Sequence, residues 1–235
     1  MTLALAFDCS GARLDAAIVR ARSPRAVQCL AHCTEDLERG HAARLLPFLG
    51  KCLEAAGTPL DAIGLLAVTI GPGSFTGVRI GLATARGLAL ATGLPLAGYS
   101  TFDVLLAAAA SAGGQTTATI AAIDTKRGDF YIRIGGEPGP GFVSDAAALA
   151  KRLSGGAAHL IGDGACRLRD QLGALGLPTA TDCQLRAPDA EHLARLALAE
   201  GAEAWRERNR DRGLPVPLYL RDAAVTLADG TRTSA

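Results

Sequence analysis

Apolar residues come in short strand-like runs at the start of the chain and take on helical spacing further along. Residues 3–8 (LALAFD) read as a strand, the Ser10-Gly11 pair turns the chain, and residues 14–20 and 26–32 read as two more strands of an antiparallel meander. Leu45, Leu49, Cys52, Leu53 and Ala56 then recur at helical spacing and predict a helix over 42–56, ended by Gly57 with Pro59 beyond it. Pro47 falls inside that helix, so it must occupy the first turn or kink the helix. A buried strand follows at 65–70, then a glycine-rich helix to about Ala91 with Ser74 or Thr76 as its cap, and a short strand at 94–98.

The second half starts again. It predicts an alanine-rich helix over 100–112 capped by Ser100 or Thr101, strands at 116–124 and 130–134, a Gly/Pro loop at 135–141 and a short strand at 159–161. Helices are expected at 145–153, 165–175 and 189–208. ALAFDCS (4–10) and IAAIDTK (120–126) both end an apolar strand on an Asp before a turn and a second strand. Such an echo halfway along the chain is what a duplicated, two-lobed fold would produce.

The glycine-rich helix is the most informative segment. Gly73, Gly77, Gly81 and Ala85 recur every four residues, and between Gly71 and Gly98 the only charges are Arg79 and Arg86. Glycine inside a helix costs roughly 1 kcal/mol against alanine, so the ridge calls for an element that approaches the backbone closely. A helix without a proper polar face is covered on more than one side. In a chain this short, that points to a partner subunit.

Composition narrows the function. The 235 residues are 49% hydrophobic and 20% charged, with net charge +1 and mean hydropathy +0.22, enough for a real core. Neutrality argues against a strongly basic nucleic-acid binder. No apolar run approaches the roughly 18 residues that span a bilayer. The start of the chain shows no basic n-region, so a cytoplasmic location is expected. Cys9, Cys29, Cys33, Cys52, Cys166 and Cys183 form no CxxC pair and read as reduced thiols. Period two would place Cys29 and Cys33 on one face of their strand, too far apart for one tetrahedral site.

GPGSFTGVRIGLATARGLAL (71–90) closely resembles the hallmark segment of the TsaB family, also called YeaZ, which serves in making threonylcarbamoyladenosine in tRNA. LAFDCSGARLDAAIV resembles the family's opening strand pair, HAARLLP (41–47) its first interface helix, and GYSTFD (98–103) its domain junction. AIDTKRGDFY (122–131), IGDGA (161–165) and PLYLRD (217–222) fit in the same order, so the resemblance covers nearly the whole chain. It implies an α/β fold of two lobes, the duplicated actin/sugar kinase/Hsp70-like (ASKHA) architecture. The first lobe would be 1–99, with the partner-docking helices. The second would be 100–222, whose final helix has the option of packing back on the first, and 223–235 would be a flexible tail.

It also implies a non-catalytic scaffold that activates a TsaD-like catalytic subunit, with a TsaE-like ATPase recruited, tRNA reached through the complex and a homodimer possible when the chain is alone. No cofactor is expected in this chain; metal and ATP would sit on the partners. The docking residues implied are Leu45, Leu49, Cys52, Gly73, Phe75, Gly77, Val78, Ile80, Gly81, Thr84, Ala85 and Leu88.

Local chemistry is read beside that. TsaD's metal site needs two histidines on one helix face in HxxxH spacing, and no two of His32, His41, His159 and His192 are four apart. Asp8 and Asp124 stand where ATPases of this fold hold magnesium, and Gly162 and Gly164 where adenosine would lie, so these four are a vestigial nucleotide site or simply strand ends and turns. The rival reading is an ATP-dependent phosphotransferase of the sugar or acetate kinase type. Ser74 in GPGSFTG lacks the spacing of a nucleophile elbow. Tight-turn geometry accounts for Gly71–Ser74 better than anion binding. Arg206, Arg208, Arg210 and Arg212, with Trp205 beside them, are either a phosphate-contacting patch or a solvated helix end.

Overall fold

A computed structural model of the chain describes residues 1–23, 26–113, 118–153, 157–181, 185–221, 224–226 and 232–234. Cys183 lies outside them. The elements run β1 Thr2–Asp8, β2 Arg13–Ser23, β3 Ala26–Asp36, α1 His41–Ala55, β4 Leu65–Thr69, α2 Phe75–Thr92, β5 Leu96–Tyr99 and α3 Thr101–Ala112. The second series is β6 Ala118–Asp124, β7 Phe130–Ile134, β8 Phe142–Ser144, α4 Ala146–Leu153, β9 Ala158–Ile161, α5 Ala165–Ala174, β10 Thr179–Thr181, α6 Ala190–Glu200 and α7 Ala202–Arg212. A turn of 3-10 helix at Leu60–Ala62 leads into β4. Beyond α7, β11 Ala224–Thr226 pairs antiparallel with β12 Arg232–Ser234, within the stretch expected to form the tail.

The two series have one topology. The first sheet is ordered β3-β2-β1-β4-β5 and the second β8-β7-β6-β9-β10. In each, the first three strands form an antiparallel meander and the last two run parallel to the first. Asp8 and Asp124 are the final residues of the equivalent strands β1 and β6. The strand–Asp–turn–strand echo is therefore a true internal repeat.

β1 and β4 are buried along almost their whole length, which is why they read as continuous apolar runs rather than alternating ones. On one face of the first sheet α1 and α2 bury Leu45, Phe48, Leu49, Val78 and Leu82 against Leu5, Phe7, Ile18 and Leu66. On the other, α6 sets Ala190, Leu193, Ala194 and Ala197 against Ala4, Ala6, Ala17 and Ala67, small residues that let the helix sit close. α3, from the first half of the sequence, places Phe102, Leu105 and Ala109 on Ala121, Ile123 and Ile161 of the second sheet. α3 of the first series thus packs on the second sheet, and α6 of the second series packs on the first.

Pro47 lies in the second turn of α1, which excludes the first of the two alternatives open to it. Two local expectations need correcting. The helix expected over 189–208 is two helices broken at Gly201, whose backbone (φ 91°, ψ 152°) leaves the helical region. Cys29 and Cys33 do not share a face: β3 carries a bulge, with Ala31 opposite Ile18 and Cys29 opposite Val19, so Leu30 is an extra residue. Cys29 accordingly packs with the α6 side and Cys33 with the α1 side.

A buried polar clasp fixes α6. The Asp15 carboxylate, 1% exposed, accepts from the α6 amide of Ala190 at 2.9 Å and pairs with Arg13 at 2.7 Å and His32 Nε2 at 2.8 Å. The Asp15 hydrogen bond raises the His32 pKa against a smaller opposing effect of burial. Asp189, the α6 N-cap, is held at about 2: burial opposes this, but the His192 side chain and amide and the nearby His32 outweigh it. The His32 contribution is complete below its unfolded pKa and is lost as pH rises through the raised value. The Asp189 contribution is present above its unfolded pKa and is lost as pH falls toward 2. We therefore expect the wild-type melting temperature to fall from pH 6 to pH 8 through His32, while the Asp189 contribution stays constant over that range. A His32→Ala variant measured by calorimetry at both pH values should lack that component.

Candidate functional site

Between the two strand–turn–strand starts lies a cleft of about 810 Å³, lined among others by Ser10, Gly11, Gly73, Ser74, Asp124, Lys126, Arg127 and Asp163. Asp8 is 2% exposed and already satisfied below the cleft floor: its Oδ1 accepts from the Ser10 amide at 3.1 Å and from the Thr69 hydroxyl. Burial pushes its carboxyl above the usual range, against those hydrogen bonds. Asp124 is engaged otherwise. Arg167 reaches it with Nη2 at 2.9 Å and Nε at 3.2 Å, Lys126 Nζ stands at 3.2 Å, and the Lys126 amide donates at 2.8 Å. Burial alone would raise the Asp124 pKa, but Lys126 and Arg167 hold it below the ordinary value.

Gly162 and Gly164 pack against strand β6. A side chain at Gly162, where φ is +99°, would come 2.2 Å from the Ala122 carbonyl; one at Gly164 would come 2.9 Å from Phe130. The turn donates Gly164 N–H to Ala122 O at 3.0 Å, and Asp163 accepts from the Asp124 amide at 2.9 Å. These contacts show a turn that clamps the end of β6. Asp8 and Asp124 sit in equivalent places, but neither presents a free carboxylate to the cleft.

The glycine ridge of α2 faces inward. Ser74 caps the helix, its Oγ accepting from Gly77 N at 3.3 Å. A Cβ at Gly73 would lie 2.5 Å from Ser10 O, one at Gly77 2.1 Å from Cys9 O, and one at Gly81 2.9 Å from Cys9 Sγ. The element that approaches is the chain's own β1–β2 turn, not a partner, and the Cys9 thiol donates to Gly77 O at 3.1 Å across that contact. Of the residues expected at a partner interface, Leu45, Leu49, Cys52, Gly77, Val78, Gly81 and Ala85 are therefore buried in their own lobe. Gly73, Ile80, Thr84 and Leu88 are half-buried, and Phe75 is exposed.

The outer surface of the helix pair is made by other residues, several of them missed from the sequence. On α2 these include Thr76, Ala83, Gly87, Leu90 and Ala91, and on α1 Ala42, Ala43, Leu46 and Pro47, all exposed, with Leu46 at 57% and Leu90 at 78%; Arg79 on α2 and Arg44, Lys51 and Glu54 on α1 are exposed beside them. α1 and α2 pack side by side, so their outer faces adjoin. The helical period of the small residues was visible in the sequence; which half of them looks outward was not.

A strap after α7 ties the lobes. Leu218 N–H donates to Ile70 O at 2.8 Å, Leu214 packs into the first core, Leu220 joins the second sheet's cluster, and Arg221 pairs with Asp129. Arg79 lies 3.6 Å over the Phe75 ring and donates to the Tyr219 hydroxyl at 2.9 Å, fastening the strap to the start of α2. In the basic cluster, Arg208 covers the buried Trp205 ring at 4.0 Å and pairs with Glu200 at 2.6 Å, and Arg206 donates to Gly93 O at 3.2 Å. Arg210 and Arg212 remain on the surface. Two of the four arginines thus serve the packing of α7.

Comparison with known proteins places this geometry. Residues 34–137 match the family profile described as TsaD, tRNA N6-adenosine threonylcarbamoyltransferase. The tRNA threonylcarbamoyladenosine biosynthesis protein TsaB of Escherichia coli (strain K12) is 45% identical over 93 residues, 40% of this chain and 40% of that protein. The Haemophilus influenzae protein of the same name is 38% identical over 101 residues, 43% and 42% of the two chains. The matched stretch thus spans about two fifths of the length of these curated relatives. Among solved structures, YeaZ from Pseudomonas aeruginosa superposes with a TM-score of 0.65 at 28% identity, covering 93% of this chain and 100% of that one. Component A of (R)-2-hydroxyglutaryl-CoA dehydratase from Acidaminococcus fermentans (TM-score 0.51, 11% identity) shares the fold alone. The fold is the duplicated α/β actin/sugar kinase/Hsp70-like one. Among the described residues no helix is long and apolar enough to cross a membrane.

Proposed function

The chain belongs to the TsaB/YeaZ family, and from that premise we propose that it serves tRNA threonylcarbamoyladenosine biosynthesis as a scaffold, docking on a TsaD-like catalytic subunit and holding it in its active arrangement. The observation that carries the reading is the set of exposed apolar residues Leu46 on α1 and Ala83, Gly87 and Leu90 on α2. Exposed apolar area of this kind on a soluble protein marks an interaction surface. A TsaE-like ATPase would join the pair, tRNA would be reached through the complex in the cytoplasm, and two copies of the chain would share the same face when the partner is absent.

The state of the two aspartates favours this reading over the phosphotransferase one. A carboxylate that positions magnesium or water has to be free to do so, and losing it costs several kcal/mol of barrier. Asp8 and Asp124 are instead tied into the protein. We expect Asp8→Asn and Asp124→Asn, singly and together, to leave reconstituted tRNA modification within about tenfold of the parent, or about 1.4 kcal/mol. The assay mixes the purified chain with the TsaD-like and TsaE-like proteins, tRNA, ATP and threonylcarbamoyl adenylate. A thousandfold loss with the complex still assembled would give the cleft a catalytic role and favour the phosphotransferase reading.

A further inference from the structure

We propose that Cys33 and Cys52 are an oxidative modification site, joining as a reversible disulfide that pins α1 to the edge strand β3. Both side chains converge on one residue of the strand between them. Cys33 stands directly opposite Ala16 in the β2–β3 ladder, and the Cys52 thiol donates to the Ala16 carbonyl at 3.5 Å. The bulge at Leu30 brings this about: it turns Cys33 toward α1 while Cys29 faces α6. Burial, and next to it the adjacent Cys33 thiol, push the Cys52 pKa up to about 12. The two sites differ in access. Cys33 is half-buried on a strand with a free edge, whereas Cys52 is fully enclosed.

That asymmetry assigns the order of events with hydrogen peroxide as the oxidant. The Cys33 sulfur attacks one peroxide oxygen, the O–O bond breaks, and the leaving hydroxide takes up the thiol proton as water. The Cys33 sulfenic acid is then displaced by the Cys52 sulfur. The S–O bond breaks, the S–S bond forms, and the Cys52 proton leaves with the hydroxyl as a second water. Two thiols are oxidised by two electrons and one peroxide is reduced to two waters. The remaining described thiols are placed differently: Cys9 is buried against Gly77 O, Cys29 donates to Ala31 O, and Cys166 lies on α5 in the other lobe. A disulfide in a reducing compartment is typically transient and sensing, which suits two thiols set against the same residue of β2.

The test treats the folded full-length chain with hydrogen peroxide, blocks free thiols and maps peptides without reduction. A peptide pair linked through Cys33 and Cys52, reversed by dithiothreitol and accompanied by a rise of roughly 5–10 °C in melting temperature, is the expected result. In Cys52→Ala the Cys33 sulfenic acid should persist and be trapped by dimedone, and in Cys33→Ser the link should vanish. The proposal is overturned if Cys33 links to Cys29 or another cysteine, if it proceeds to sulfinic acid with no linked peptide in the parent, or if the link forms only in urea.

Discussion

Gly77→Ala is expected to lower the melting temperature by roughly 4–8 °C, while Gly87→Ala on the same helix raises it slightly. Both changes add one methyl group and remove the same backbone freedom, a gain of about 1 kcal/mol in helix propensity. At Gly87 nothing lies within 4 Å of the new carbon, so the gain stands. At Gly77 the carbon would be 2.1 Å from the Cys9 carbonyl oxygen, an obstacle that no rotamer change relieves. α2 must then lift off β1. Overpacking of that kind costs about 3 kcal/mol or more, so the net loss is about 2 kcal/mol. Thermal unfolding of the two variants beside the parent decides it. Equal and favourable shifts would mean that the ridge is not seated on the β1–β2 turn. By the same geometry Gly81→Arg should disrupt the fold rather than act on a partner alone, because a Cβ at Gly81 would lie 2.9 Å from Cys9 Sγ.

Association should be lost by a different pair of changes. Ala83→Arg and Leu46→Asp lie on the exposed surfaces of α2 and α1 and disturb no core contact. Each places a charge where a docked partner would have to desolvate it. Central interface positions typically carry 2 kcal/mol or more, about thirtyfold in affinity. We expect each variant to weaken binding to the TsaD-like subunit at least that far and the double variant to abolish complex formation and reconstituted tRNA modification, with melting unchanged. Arg210→Ala, far along α7, should bind as the parent does. Calorimetric titration and mass measurement of the mixture supply the readout, and undiminished binding by a well-folded double variant would remove the docking face from α1 and α2.

Much of the architecture was legible in the linear pattern, and its failures have physical causes. β1, β4 and α2 announced themselves because each is long enough to show its period. β8 and β10, three residues apiece, are too short to show any. The split of α6 from α7 was hidden because alanine and leucine recur through 190–204 at helical spacing and a single glycine is compatible with a continuous helix. The bulge at Leu30 had no local signature, and one inserted residue reversed the face on which Cys33 lies. The glycine ridge was half legible: small residues at every fourth position correctly signalled close backbone approach, but period alone does not say whether the visitor is the same chain. At the cleft, the two aspartates were found by repetition, whereas Arg167, forty-three positions from Asp124, had no link to it before folding.

The exchange of closing helices between the two halves bears on how the protein is born. The face of the first sheet made by Ala4, Ala6, Ala17 and Ala67 has its cover in Ala190–Ala197, more than a hundred residues downstream. A ribosome adding about 5–20 residues per second leaves that face without its helix for roughly 5–25 s. The first half alone is therefore not a finished domain during synthesis but a sheet closed on one side, and a nascent chain stalled near residue 110 should be a client for chaperones and highly sensitive to protease. A cut at the 99/100 boundary would keep α3 with the second sheet it covers but would take α6 away from the first. Inheritance of the duplicated unit thus came with dependence: the first copy of the topology is closed by a helix that the second copy carries.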